Sequence, residues 1–138
     1  MKSINWFKSE NYSGNLGITA TGGAATAFVN DNVITINFVN TATTASYVID
    51  TPFAFKVVDS YSVANAAATG AVVYVDNATV HITSDLGGAT DTLVTRTTVG
   101  VNSAQEFANG DNDLTVSASA TATDAPAIHT IYLKIEPV

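Results

Sequence analysis

Apolar and polar positions alternate with period two along most of this chain, and no long stripe of period 3.6 interrupts them. Residues 33–39 set Ile34, Ile36 and Phe38 on one face and Thr35 and Asn37 on the other. That is the pattern of a strand with one wet side. Residues 25–30 precede it across Asp31-Asn32, a two-residue hairpin signal. A Thr- and Ala-rich loop over 40–46 leads to a short strand at 47–49. Pro52 marks the next strand entrance, because it lacks a backbone donor and holds Thr51 extended. Residues 53–59 place Phe53, Phe55 and Val57 opposite Lys56, and 61–63 continue the run through a bend. The small residues of 64–70 predict a loop or one helical turn ended by Gly70.

Two strands come next, 71–75 and 79–83, joined sharply at Asp76-Asn77-Ala78. In the second, Val80 and Ile82 are expected inward, and Thr79, His81 and Thr83 outward. Val72 and Val73 are adjacent apolar residues, which predicts a strand covered on both faces in the middle of a sheet. The three strands within 53–84 are therefore expected at the centre of a sandwich. After a loop over 84–90 come a β-rich run at 92–101 and the capping-box pattern Ser103-Ala104-Gln105-Glu106, which predicts a single helical turn. Residues 114–120 alternate cleanly, 123–126 form a turn, and 128–136 make the last strand, with Ile131, Leu133 and Ile135 inward. Eight or more short strands with regular turn signals define the expected fold class: all-β, an antiparallel β-sandwich of jelly-roll type, with at most one or two short helical turns. Residues 1–22, punctuated by Gly14, Gly17 and Gly22, read as an N-terminal arm that orders on docking, or as an edge strand over the domain's own core. Residues 23–138 read as one domain.

Composition narrows the function classes. The 138 residues carry 5 Lys+Arg and a net charge of -7, too few cations for a nucleic-acid or anionic-membrane surface. Cys is absent, so disulfides, thiolate metal sites and Cys nucleophiles are excluded. Surface positions rich in Thr, Ala, Ser and Asn fit an ordinary β-protein surface. They also fit a surface buried against other chains, since interfaces are depleted in Lys and Glu. The first residues hold no apolar stretch of a secretory signal, so the expected site of synthesis is the cytoplasm. Trp6, Phe7 and Tyr12 are the large aromatics of the arm and the candidate anchors on a partner.

Candidate chemistry is sparse. His81 is expected outward, and His129 inward near the start of the last strand. No G-x-S-x-G elbow accompanies them, and two His without carboxylates at ligand spacing make no zinc site. The expectation is a non-enzymatic protein without cofactors. Asn109-Gly110-Asp111-Asn112-Asp113 is an oxygen-rich turn, and Asp111 and Asp113 are its candidate Ca²⁺ ligands. No bidentate Glu follows, and turn chemistry alone accounts for these residues. The triplets Asn11-Tyr12-Ser13 and Asn77-Ala78-Thr79 match the N-glycosylation pattern, which is short enough to recur by chance. Tyr61, Tyr74 and Tyr132 are outward candidates for a glycan-binding surface, scattered along the sequence.

From Asp50 onward the chain resembles a known family. The carriers are Thr51-Pro52-Phe53 leading into Phe55-Lys56-Val57-Val58-Asp59, then Gly70-Ala71-Val72-Val73-Tyr74-Val75-Asp76-Asn77. Arg96-Thr97-Thr98, Phe107-Ala108-Asn109-Gly110-Asp111, Leu114-Thr115-Val116 and the ending Ile131-Tyr132-Leu133-Lys134-Ile135 complete the pattern. In strand order and loop placement this is similar to the small jelly-roll cement, or decoration, proteins of tailed-bacteriophage capsids. The resemblance implies a structural virion protein on the outer surface of the capsid. It implies a homotrimer at three-fold positions, whose partner is the major capsid protein and which clamps neighbouring subunits of the shell. The alternative is a glycan-binding β-sandwich module on a phage head fibre or tail fibre.

Overall fold

The computed structural model describes residues 13–64, 72–86, 94–101, 104–108, 113–119 and 128–138. Eleven strands run through them: β1 (Gly14–Thr21), β2 (Gly23–Asn30), β3 (Val33–Asn40), β4 (Thr44–Asp50), β5 (Phe55–Ala64), β6 (Val72–Asn77), β7 (Val80–His81), β8 (Val94–Thr97), β9 (Glu106–Phe107), β10 (Leu114–Ser119) and β11 (Ile128–Glu136). Every pairing is antiparallel. The described residues contain no helix.

Four of the pairings nest. β3 pairs β11, β4 pairs β10, β5 pairs β8 and β6 pairs β7. They are the rungs of one long hairpin whose tip is Ala78-Thr79. Rolled up, that hairpin sends alternate rungs to opposite sheets, β3-β11-β5-β8 in one and β4-β10-β6-β7 in the other. This is the jelly-roll order, and the fold is the all-β sandwich that the alternation predicts. β1 joins the two sheets: Gly14 to Leu16 pair with β2, and Gly17 to Thr21 pair with β4. Residues 14–21, within the stretch read as an arm or edge segment, thus form an internal strand that carries Leu16 into the core.

The two remaining edges meet. Beyond β7 and β8, Thr83 bridges Val99, with Gly100 N donating to Ile82 O at 2.8 Å. A sheet edge with free N–H and C=O groups invites foreign strands, and here each edge caps the other. The core between the sheets is built from the period-two positions. Ile34, Ile36, Phe38, Ile131, Leu133 and Ile135 face Tyr47, Ile49, Val73, Val75, Leu114 and Val116, all buried.

Several sequence expectations are corrected. β6 lies one strand from the sheet edge, not mid-sheet, and Val72 is only half-buried. Val80 is exposed at the ribbon tip, where it lies opposite Asn77. Thr83 is buried rather than outward. β7 leaves the ladder after His81, and the Thr83 hydroxyl accepts from Val75 N at 3.1 Å in its place. Asp85 Oδ1 does the same for Val73 N at 2.9 Å. A buried backbone N–H needs a partner, and side chains supply it where the strand does not. Of the capping box, Ser103 lies outside the described residues, and Ala104 to Glu106 form no helical turn. Glu106 and Phe107 pair with Lys56 and Phe55, and the Phe107 ring stacks on Phe55 with centroids 4.7 Å apart. Burying that ring outweighs a local cap worth about 1 kcal/mol. β4 begins at Thr44 inside the expected loop, and β5 runs as one strand to Ala64 with a bulge at Val58. Of the possible helical turn at 64–70, Ala64 closes β5 and the rest lies outside the described residues, as do the turn at 123–126 and the loop glycines 87 and 88.

Two positions report on packing. Tyr47 is buried, and its hydroxyl donates to Asn40 Oδ1 at 2.6 Å, with Val39 O at 3.2 Å. Burial pushes its phenol above the usual 10.0. That hydroxyl and Val39 O fill the space where a side chain on Gly23 would start. We expect Gly23→Ala to cost about 2 kcal/mol or more in urea melts, since a backbone carbonyl cannot step aside. His129 is buried, stacks on Phe38 with centroids 5.2 Å apart, and leaves Nδ1 without a partner. Burial holds its ring below the ordinary 6.5. The unfolded chain therefore binds a proton that the folded chain refuses, and stability falls as pH drops below 6.5 towards the lowered value. Urea melts of wild type and His129→Phe at about pH 7.5 and about pH 5.5 check this; the variant is expected to lose less stability between them.

Candidate binding faces

Outer residues of the β3-β11-β5-β8 sheet come into one row through strand register. Phe28 on β2 lies opposite Thr35, Thr35 opposite Tyr132, Tyr132 opposite Tyr61, and Tyr61 opposite Arg96. Phe28 and Tyr61 are exposed, at 46% and 38%, and Arg96 is more open still. Between the two exposed rings lie Thr35 and the half-buried Tyr132, so the row mixes open and covered positions. Tyr61 and Tyr132 stack with centroids 4.7 Å apart and planes 19° from parallel. That separation is the spacing between neighbouring strands. The two rings therefore stand upright from the sheet, each with one face against the other, and present their edges and hydroxyls outward.

The next row along holds charge. Lys134 lies opposite Asp59, and Asp59 pairs with Arg96. The register shifts between Lys134 and Ile135, a bulge that turns both Val58 and Asp59 towards this side. Val33, Asp59, Tyr61, Tyr132 and Lys134 line a cavity of about 150 Å³ between the two rows.

The opposite sheet carries a different cluster on its outer face. Asp76 is buried there, with Oδ1 2.5 Å from His81 Nδ1 and Oδ2 accepting from Ser117 Oγ at 2.7 Å. The Tyr74 ring stacks on His81 with centroids 3.8 Å apart. The carboxylate is the hub, bonded to both the hydroxyl and the imidazole. A Ser-His-Asp nucleophile needs the imidazole between the other two, so these three side chains are not arranged as that triad. They tie β6, β7 and β10 together near the ribbon tip. The tip is pinned further by Asn77, whose Nδ2 donates to Ala104 O at 2.9 Å and Glu106 O at 3.1 Å. The Asn77-Ala78-Thr79 triplet is thus occupied structurally at its amide.

The structure places the sequence candidates as follows. Trp6, Phe7, Tyr12 and Asp111 lie outside the described residues. Asp113 is described, and its carbonyl accepts from Ala78 N at 2.7 Å and Thr115 Oγ1 at 3.2 Å, which is turn and tip structure. Among the described residues no group of three or more His, Asp or Glu side chains could hold a metal ion. Tyr61 and Tyr132 are brought together, whereas Tyr74 is on the other sheet. Phe28 and Arg96 join the row without having been singled out from the sequence. Their signal is the pairing register, which alternation within one strand does not contain. No family model matches the chain, and neither a curated protein nor a solved structure matches it.

A double-mutant cycle of Tyr61→Ala and Tyr132→Ala is expected to give a coupling of about 0.5–1.5 kcal/mol by urea melts, the size of a cross-strand ring pair. Additivity within about 0.3 kcal/mol would show that the rings do not support each other.

Proposed function

We propose that this chain is a structural assembly protein that docks on other protein chains through the outer face of its β3-β11-β5-β8 sheet. The partner in this reading is the major capsid protein of a tailed-phage head, with the chain acting as a cement protein on the outer surface of the shell. The observation that carries it is the outer row of Phe28, Thr35, Tyr132, Tyr61 and Arg96, in which Phe28, Tyr61 and Arg96 are exposed and Tyr132 is half-buried. Tyr and Arg are the residue types that dominate interface energetics. Two features of the chain support the reading. Its jelly-roll order is the one expected of the resembling family. Its low share of charged residues, 12%, suits a surface that packs against protein.

The upright tyrosine pair favours protein docking over the glycan-binding alternative. A sugar ring stacks on an open aromatic face, and each of these rings has already placed one face against its neighbour. The trimeric state belongs to the same proposal, since symmetry-repeated contacts give avidity from modest single interfaces.

Mixing purified protein with heads assembled without it tests the reading. Wild type is expected to co-sediment with the heads. Tyr61→Ala is expected to weaken binding at least tenfold with a small change in melting temperature. Thr19→Ala, on the other sheet, is expected to bind as wild type. Equal binding by Tyr61→Ala and wild type would contradict the proposed face.

A further inference from the structure

We infer that the charged end of the β3-β11-β5-β8 outer face is a self-association site, on which a second copy of this chain docks about a two-fold axis. The inference does not rest on the docking reading above and concerns the free protein. Two rows of charge cross this end of the sheet. In the first, Lys134 lies opposite Asp59, and Asp59 pairs with Arg96. In the second, Glu136 lies opposite Lys56, and Lys56 lies opposite Glu106. Their neighbours Ile135, Val57 and Phe107 are buried, which turns Glu136, Lys56 and Glu106 to the outer side. Across β11, β5 and the β8–β9 side, the signs run plus, minus, plus in one row and minus, plus, minus in the next. Of these six side chains, only Asp59 and Arg96 form an ion pair among the described residues. The other four offer their charge to a partner.

The pattern selects its occupant. The charges of the patch cancel, so neither an acidic nor a basic partner is preferred by net charge. What matches the patch is its own inverse, with the opposite sign at each place. A half-turn about an axis running between the two rows produces that inverse. Lys134 then faces Glu136 of the second copy, Asp59 faces Lys56 of the second copy, and the Arg96 head faces Glu106 of the second copy. A half-turn about an axis along the strands instead sets Lys134 on Arg96 and Glu136 on Glu106, like charge on like. The first axis also crosses the bulge. Val58, half-buried on the outer side between Lys56 and Asp59, meets its own counterpart there. An apolar centre with a polar rim is the common anatomy of a protein contact, and two-fold symmetry forms each charge pair twice. The other described acids stand outside the two rows: Asp31 in the β2–β3 turn, and Asp50, Asp76, Asp85 and Asp113 on or beside strands of the other sheet. Exposed ion pairs contribute little singly, and two copies repel through their net charge of -7. The association is therefore weak, with a dissociation constant on the order of 1 mM, and head binding at micromolar protein is free of it.

Sedimentation equilibrium of the full chain, from about 10 μM to about 2 mM, tests the inference. Wild type is expected to rise from one chain mass towards two across that range. Lys134→Glu sets carboxylates against each other across the axis, and Glu136→Lys sets ammonium groups against each other. Each variant alone is expected to associate at least fivefold more weakly than wild type. Mixed one to one, the two variants are expected to recover the association, because each supplies the charge that the other lacks. Glu136→Lys also lowers the net negative charge of the chain, so its weaker association cannot come from overall repulsion. Amide spectra of both variants are expected to match wild type away from β5 and β11, which separates a lost contact from a lost fold. Wild type that stays at one chain mass, variants that associate as wild type does, or a mixture no tighter than its separate components each overturns the inference. Head binding read with Tyr61→Ala is independent of all these results, so the docking face and the self-association site stand or fall separately.

Discussion

The fold depends on the pairing of β11 with β3, two strands far apart along the chain. Its register runs from Ile128 opposite Val39 to Lys134 opposite Val33, and it forms the outermost rung of the rolled hairpin. Inside it nest β4 with β10, β5 with β8 and β6 with β7. A two-stranded ribbon is marginal by itself. Rolling it puts the apolar face of each rung against another rung, so the core and the topology form together. Such pairing is non-local and carries a loop-closure cost before the contacts form. The tip at Ala78, where Asn77 lies opposite Val80 and Asp76 opposite His81, is the part of the ribbon that local chain can close first.

The same constraint explains the placement of polar groups within the sandwich. Where β7 stops, β6 still presents N–H groups towards it, and Thr83 and Asp85 side chains take them. Ser62, buried on β5, donates to Leu86 O at 2.7 Å and so holds the segment after β7 against the other sheet. Asp76 serves three strands at once on the outer face. These bonds do locally what ladder bonds do elsewhere. They let the sheet curl until Thr83 meets Val99 and the last edges are covered.

What was legible from sequence follows from this arrangement. β3 and β11 alternate strictly because each has one side in the core along its whole length, and Ile34 to Phe38 and Ile131 to Ile135 were readable for that reason. The turn at Asp31-Asn32 was readable from residue type, and both residues adopt positive φ, 51° and 60°. The tip was misread because alternation says which side a residue takes but not whether anything covers it: Val80 and Ile82 share a side, and only Ile82 is buried. The helical reading fails at the described Ala104 to Glu106 because Phe107 finds Phe55 from a distant part of the chain. The candidate face was the least legible. Tyr61 and Tyr132 each read as outward, yet their meeting is set by the β5–β11 register, as is the approach of Arg96 and Lys134.

One sheet carries the Tyr61–Tyr132 pair in a row with Phe28 and Arg96, and the other carries Tyr74, His81 and Ser117 around a buried carboxylate hub. In the docking proposal the first is the contact face. Hydroxyl-radical footprinting of the protein free and bound to phage heads tests that assignment directly, because aromatic side chains on both sheets react. The account predicts that Phe28 and Tyr61 become protected on the heads while Tyr74, on the opposite sheet, keeps its free-state rate. Protection of Tyr74 with Phe28 and Tyr61 unchanged would contradict it.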